Sequence, residues 1–206
     1  MILVPAARVE RWVANFGDRH GGAVLAVRDG ALAGTAEDGS DFAAVLPFDA
    51  SYDGPPDAAA FAGAVASAVP SDWGVLLVRK GGFAVARMAG ETFAESKTGQ
   101  RHVQGRTKAG GQSQQRFARR RGNQARQAYE AAADHAARIL GAGSRPVVVG
   151  GDHAAVDEVL GDPRLGALSV VDPWLPVPDP RRGILEQAVR DACAARFEVR
   201  NAEETS

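Results

Sequence analysis

The chain has 206 residues, 45% of them apolar, with 24 Lys+Arg against 25 Asp+Glu for a formal charge of -1. That length suits one domain, or one domain with an appendage, and the apolar share excludes a disordered chain. A lone cysteine, Cys193, excludes a disulfide framework and a Cys-based metal cluster, and no segment approaches membrane-spanning length, so a cytoplasmic protein with no membrane contact is expected.

Val9, Trp12, Val13 and Phe16 follow the i, i+3, i+4, i+7 spacing and predict an amphipathic helix over 6–16. Strands are expected over 23–27 and 42–48 with a turn around Gly30 and Gly34, then a loop over 51–56 and an alanine-rich helix over 58–69 stopped by Pro70. These elements predict a small N-terminal α/β extension, 1–70, that caps or extends the sheet to follow. From Trp73 the pattern sharpens into an apolar strand over 75–78, a tight turn at Lys80-Gly81-Gly82, its hairpin partner over 83–88 and a third strand over 92–97.

Ala125, Ala128, Tyr129, Ala132, Ala136, Ile139 and Leu140 share one helical face, which predicts a long helix ending near Gly141 with a buried rear half. A strand over 146–149, a helix over 154–160 capped by Asp152 and a strand over 168–171 come next. A proline-rich turn over 173–180, a helix over 182–196 and an edge strand over 197–200 complete the pattern. Alternating strands and helices imply an α/β domain with a mixed sheet over 71–200, followed by a tail over 201–206.

The near-neutral total hides a strong polarity. Between 96 and 129 there is no Asp or Glu, while Lys97, Arg101, Arg106, Lys108, Arg116, Arg119, Arg120, Arg121 and Arg126 supply nine positive charges; the other 15 basic residues face all 25 acidic ones, so the remainder carries about -10. A solvated face mixes signs, whereas arginine concentrated on a glycine-containing segment is what a phosphate backbone attracts. Arg116, Arg119 and Arg120 stand at i, i+3 and i+4 on one side of the expected helix. So near its start they oppose the macrodipole at a cost of some tenths of a kcal/mol each, which an RNA contact explains better than solvation does.

Other residues carry weaker signals. Gly150-Gly151-Asp152-His153 reads as a strand-to-helix turn more readily than as a phosphate loop. His20, His102, His135 and His153 lack paired metal spacing, so no metal is expected, and Trp12, Trp73 and Trp174 are expected to be packing residues.

Gly110-Gly111-Gln112 lies at the centre of the basic stretch. With 24 glycines in the chain the bare tripeptide is a weak signal, and its context is the specific one. The run Gly-Gly-Gln-Ser-x-x-Arg-Phe-Ala-Arg-x-Arg over 110–121 closely resembles the catalytic motif and following helix in the middle domain of eukaryotic and archaeal peptide-chain release factors. The resemblance continues in order from the Trp73 hairpin through the long helix, the Val147 strand with its Gly150-Gly151 turn and the Asp172 region to the last helix. There is no room for a separate codon-reading domain or a third domain, which argues against stop-codon termination. The compact plan looks most like the Vms-like bacterial release factors, a peptidyl-tRNA hydrolase family linked to rescue of obstructed large ribosomal subunits.

That resemblance implies an RNase H-like α/β fold whose protruding Gly-Gly-Gln loop enters the peptidyl-transferase centre and hydrolyses the peptidyl-tRNA ester. Gly110, Gly111 and Gln112 would be catalytic and the nine basic residues would bind RNA. The implied partners are the large ribosomal subunit with its rRNA, and peptidyl-tRNA, met by a monomer with no cofactor. A nuclease acting at the tRNA 3′ end is the alternative enzyme. A non-catalytic ribosome-binding rescue factor is the alternative class, which the presence of Gly-Gly-Gln argues against.

The residue chemistry agrees with a hydrolase completed by its substrate. A glutamine amide has no useful pKa and no acid lies close in sequence, so Gln112 is a poor general acid or base. Its side chain can position water, and its backbone N–H can stabilise the oxyanion or the departing ribose oxygen. Gly110 and Gly111 permit dihedrals and a close approach denied to residues with a Cβ.

Overall fold

The computed structural model describes residues 1–100, 112–141 and 143–202, with the backbone alone over 112–125. Its elements begin with β1 (Ile2–Val4), a 3-10 turn (Ala6–Arg8), α1 (Val9–Arg19), β2 (Ala23–Arg28), β3 (Ala31–Ala36), β4 (Asp41–Val45) and α2 (Ala58–Ser67). They continue with β5 (Trp73–Arg79), β6 (Gly82–Ala89), β7 (Thr92–Gln100), α3 (Gln112–Leu140) and β8 (Arg145–Gly151). The last are α4 (His153–Leu160), a 3-10 turn (Pro163–Leu165), β9 (Leu168–Leu175), α5 (Arg182–Ala192) and β10 (Ala195–Arg200). The chain forms two compact units, one of Met1–Pro70 with Arg190–Ser206 and the other of Ser71–Val189.

The first unit is built on an antiparallel sheet ordered β1-β10-β4-β3-β2. Its core joins Val9, Val13 and Phe16 of α1 and Phe61 and Val65 of α2 to Leu32, Phe42, Ala44 and Phe197 of the sheet. The α1 stripe is the expected one, and each large side chain so buried is worth roughly 1.5–3 kcal/mol. Asp57 caps α2 by accepting a hydrogen bond from the Ala60 N–H at 2.8 Å.

Two readings of this region differ from the structure. The turn lies at Asp29 and Gly30, both at positive φ, while Gly34 belongs to the interior of β3. The segment Ala-Leu-Ala-Gly-Thr-Ala lacks the branched and aromatic residues that mark a strand, because Gly34 makes room for a ring: a Cβ there would meet Phe42 Cε1 at 2.2 Å. The first third also neither extends the second sheet nor stands alone, since it has its own sheet and takes in β10. The stretch expected as the last edge strand of the 71–200 domain thus lies between β1 and β4, and α5 stops at Ala192 to let the chain return.

The second unit carries a mixed sheet ordered β7-β6-β5-β8-β9, with β5, β6 and β7 antiparallel and β8 and β9 parallel to β5. An antiparallel meander followed by parallel strands makes this a mixed α/β sheet. The Val75–Val78 run, buried on both sides, makes β5 the central strand. Leu76, Val78, Val85, Val147 and Val149 meet Ala132, Ala136, Ile139 and Leu140 of α3 and Val156 and Val159 of α4 in one core. β7 runs three residues beyond the expected Lys97, and β9 passes through Pro173, which an edge strand tolerates.

Candidate functional site

In chain order the Gly-Gly-Gln motif falls after the end of β7 and reaches the first residue of α3. β7 pairs with β6 to its last residue, Gly82 facing Gln100 and Phe83 facing Gly99. Gly99 has no side chain because the Phe83 ring occupies that space: a Cβ would meet Phe83 Cε1 at 2.3 Å. Gly82, Phe83, Gly99 and Gln100 join Ala128 and Ala131 of α3 around an apolar pocket of about 160 Å³. The end of β7 is thereby packed against the middle of α3 rather than against its first turns.

α3 has 29 residues and a length of about 43 Å. Ala128, Ala132, Ala133, Ala136, Ile139 and Leu140 are buried, so the rear half is fixed to the sheet as its periodicity requires. His135 adds a ring contact with Phe83, centroids 5.4 Å apart. Two surface pairs tie the helix at its sides: Arg138 with Glu95 of β7, and Asp134 with Arg164 after α4 at 2.7 Å. Exposed pairs of this kind contribute little, so the apolar seam does most of the holding.

Gln112 is the first residue of α3. Arg116, Arg119, Arg120 and Arg121 belong to its helical backbone, with side chains outside the described residues. Arg101, Arg106, Lys108, Gly110 and Gly111 lie outside them altogether. Lys97 is exposed on β7, and Arg126 is exposed on α3. The first turn of α3 contains no acidic residue, so nothing there offsets the positive end of the helix or the arginines behind it.

Arg126 also lines a groove of about 510 Å³ with Tyr129, Asp134, Glu158, Asp162 and Arg164. Burial raises the Tyr129 phenol above its ordinary pKa, helped by the Asp152 and Glu158 carboxylates, which keeps it protonated as a donor. Asp162 is held down to about 2 by hydrogen bonds from the Arg164 side chain and backbone, and Arg164 is raised in turn by Asp162 and Asp134. Sequence reading missed these anchors, because their partners stand 30 or more positions apart for Arg164–Asp134 and Arg138–Glu95. Among the described residues no group of three or more His, Cys, Asp and Glu could hold a metal ion, and no helix is long and apolar enough to cross a membrane.

The sequence profile of the Actinobacteria/chloroflexi VLRF1 release factor family matches residues 71–198, more than half of the chain. The chain belongs to that family. As a VLRF1-family release factor it acts in translation and interacts with the ribosome. The match starts where the second unit starts and runs into β10, so it includes the strand that completes the first unit's sheet. A solved structure, the Vms1 mitochondrial localization core, is similar over 93% of this chain and 81% of its own, with 12% identity and a TM-score of 0.42. A likeness that distant carries nothing about activity. No curated protein matches the chain significantly.

Proposed function

We propose that this VLRF1-family protein is a ribosome-associated peptidyl-tRNA hydrolase that frees nascent chains from stalled or obstructed large subunits. The observation that supports it is the position of Gln112 at the first residue of a helix whose far half is buried against the sheet. A reactive tip on an anchored helix can be presented to a substrate without loss of aim.

In the reaction, water attacks the ester carbonyl carbon, the bond to the ribose 3′ oxygen breaks, and that oxygen takes a proton. The Gln112 amide holds the water while its backbone N–H faces the developing oxyanion or the departing oxygen. Gly110 and Gly111 bring the backbone close. Lys97, Arg101, Arg106, Lys108, Arg116, Arg119, Arg120, Arg121 and Arg126 meet rRNA and tRNA phosphates. The protein acts as a cytoplasmic monomer without a cofactor, and the segment from 71 onward supplies the chemistry.

The test is release from isolated large subunits carrying labelled peptidyl-tRNA, with both products resolved. Free peptide with full-length tRNA supports the hydrolase. A shortened tRNA would mean cleavage at the 3′ end, and binding without either product would mean a non-catalytic rescue factor.

A further inference from the structure

We propose that His153 stacked on Trp174, with Arg79 and Lys80 beside it, forms a second RNA-binding surface, which takes one base of a single-stranded segment against the imidazole and its phosphate between the two cations. The proposal rests on the RNA reading of the Gly-Gly-Gln segment and adds residues outside that segment.

Strand register brings these residues to one end of the sheet. β5 and β8 run parallel with Val78 beside Gly151, and β8 and β9 run parallel with Gly150 beside Leu175. Arg79 pairs with Gly82, which itself faces Gln100, the last described residue before 101–111. The C-terminal ends of β5, β8 and β9 therefore lie at the same end of the sheet as Gln100, the end of β7. Ligands of α/β sheets collect at such strand ends.

At that end the His153 and Trp174 rings lie 3.6 Å apart between centroids, only 9° from parallel. Trp174 is half-buried and packs against the core of α3 and α4, whereas His153 is exposed. The tryptophan thus fixes a flat platform whose outer ring is open to a third ring. Sequence-tolerant stacking of bases on exposed rings is how proteins hold unpaired RNA.

Two cations stand at the same strand ends. Arg79 crosses Gly151, where a Cβ would come within 3.1 Å of Arg79 Cγ and where φ is +108°. Its Nη1 donates to the Val177 carbonyl at 2.8 Å. One contact orients the guanidinium toward the chain leaving β9 and leaves the other donors for phosphate oxygens. Lys80 is exposed at the adjacent turn and has no hydrogen-bond or ion-pair partner among the described residues. The start of α4 is not the anion site, since Asp152 caps it by accepting from the Ala155 N–H at 3.3 Å. Packing alone would account for the stack, but it leaves unexplained why two cations stand at the same strand ends.

The experiment titrates the full chain with fluorescent deacylated tRNA ending in single-stranded CCA, for wild type, His153→Ala, His153→Phe and Lys80→Ala, each checked by a thermal melt. His153→Ala is expected to weaken binding about five-fold or more, and His153→Phe to keep it near wild type because a flat ring remains. Lys80→Ala should weaken binding and lower the salt slope by about one unit or less. Unchanged affinity in His153→Ala with an intact melt, or an equal loss in His153→Phe, overturns the proposal. Peptide release by the wild type, measured in parallel on large subunits, separates the two readings: absent release sinks the hydrolase, while the tRNA titration alone decides the surface.

Discussion

Gly99 lies under the Phe83 ring so closely that no side chain fits between them, a Cβ reaching 2.3 Å from Cε1. The contact closes the end of the β6–β7 pair just before the chain leaves for the Gly-Gly-Gln motif. Gly99→Ala should force the ring or the strand aside and cost about 1–3 kcal/mol, the range for overpacking a filled site. A melting temperature lower by several degrees is expected, with slower peptide release because the end of β7 has moved. An unchanged melt would mean that the pocket walled by Ala128 and Ala131 simply absorbs the ring.

Acid should weaken the Asp162–Arg164 pair in the turn after α4. Asp162 titrates at about 2, below its ordinary 3.8, because Arg164 binds its charged form. A depressed carboxyl contributes stability that is complete above the unfolded value and is lost as pH falls through the folded one, here from about 4 toward 2. The gap in urea midpoint between wild type and Asp162→Asn is therefore expected to be constant from pH 7 to 5 and to shrink below 4. A gap independent of pH would mean that the charge of Asp162 is not its source.

What could be read in the sequence was whatever is local in sequence. The α3 stripe repeats every turn, the Lys80-Gly81 hairpin is marked by its own residues, and Asp152 stands beside the helix it caps. The motif and the basic run were legible for the same reason. β3 was not, because its glycine and alanines serve a ring on the neighbouring strand, and β10 was placed beside the wrong sheet because pairing with Ile2–Val4 and Asp41–Val45 spans most of the chain. The His153–Trp174 stack and the Arg164–Asp134 pair join distant positions and leave no periodic trace.

The arginines behind the motif can be separated from the fold. Arg116, Arg119 and Arg120 replaced together by Ala should weaken binding to large subunits and flatten its salt dependence by roughly one unit or somewhat less per lost phosphate contact. The melt should hold, since the seam from Ala128 to Leu140 is untouched and fewer cations near the helix start oppose the macrodipole. Equal slope and affinity with an intact melt would make these arginines a solvated face.

The central claim is that Gln112, at the head of α3, positions the hydrolytic water. The direct measurement is single-turnover release of labelled peptide from large subunits carrying peptidyl-tRNA, comparing wild type with Gln112→Ala at subunit concentrations that saturate both. Release slower by about two orders of magnitude or more, with binding largely intact, is the expected result. Release by Gln112→Ala at close to the wild-type rate would contradict the account.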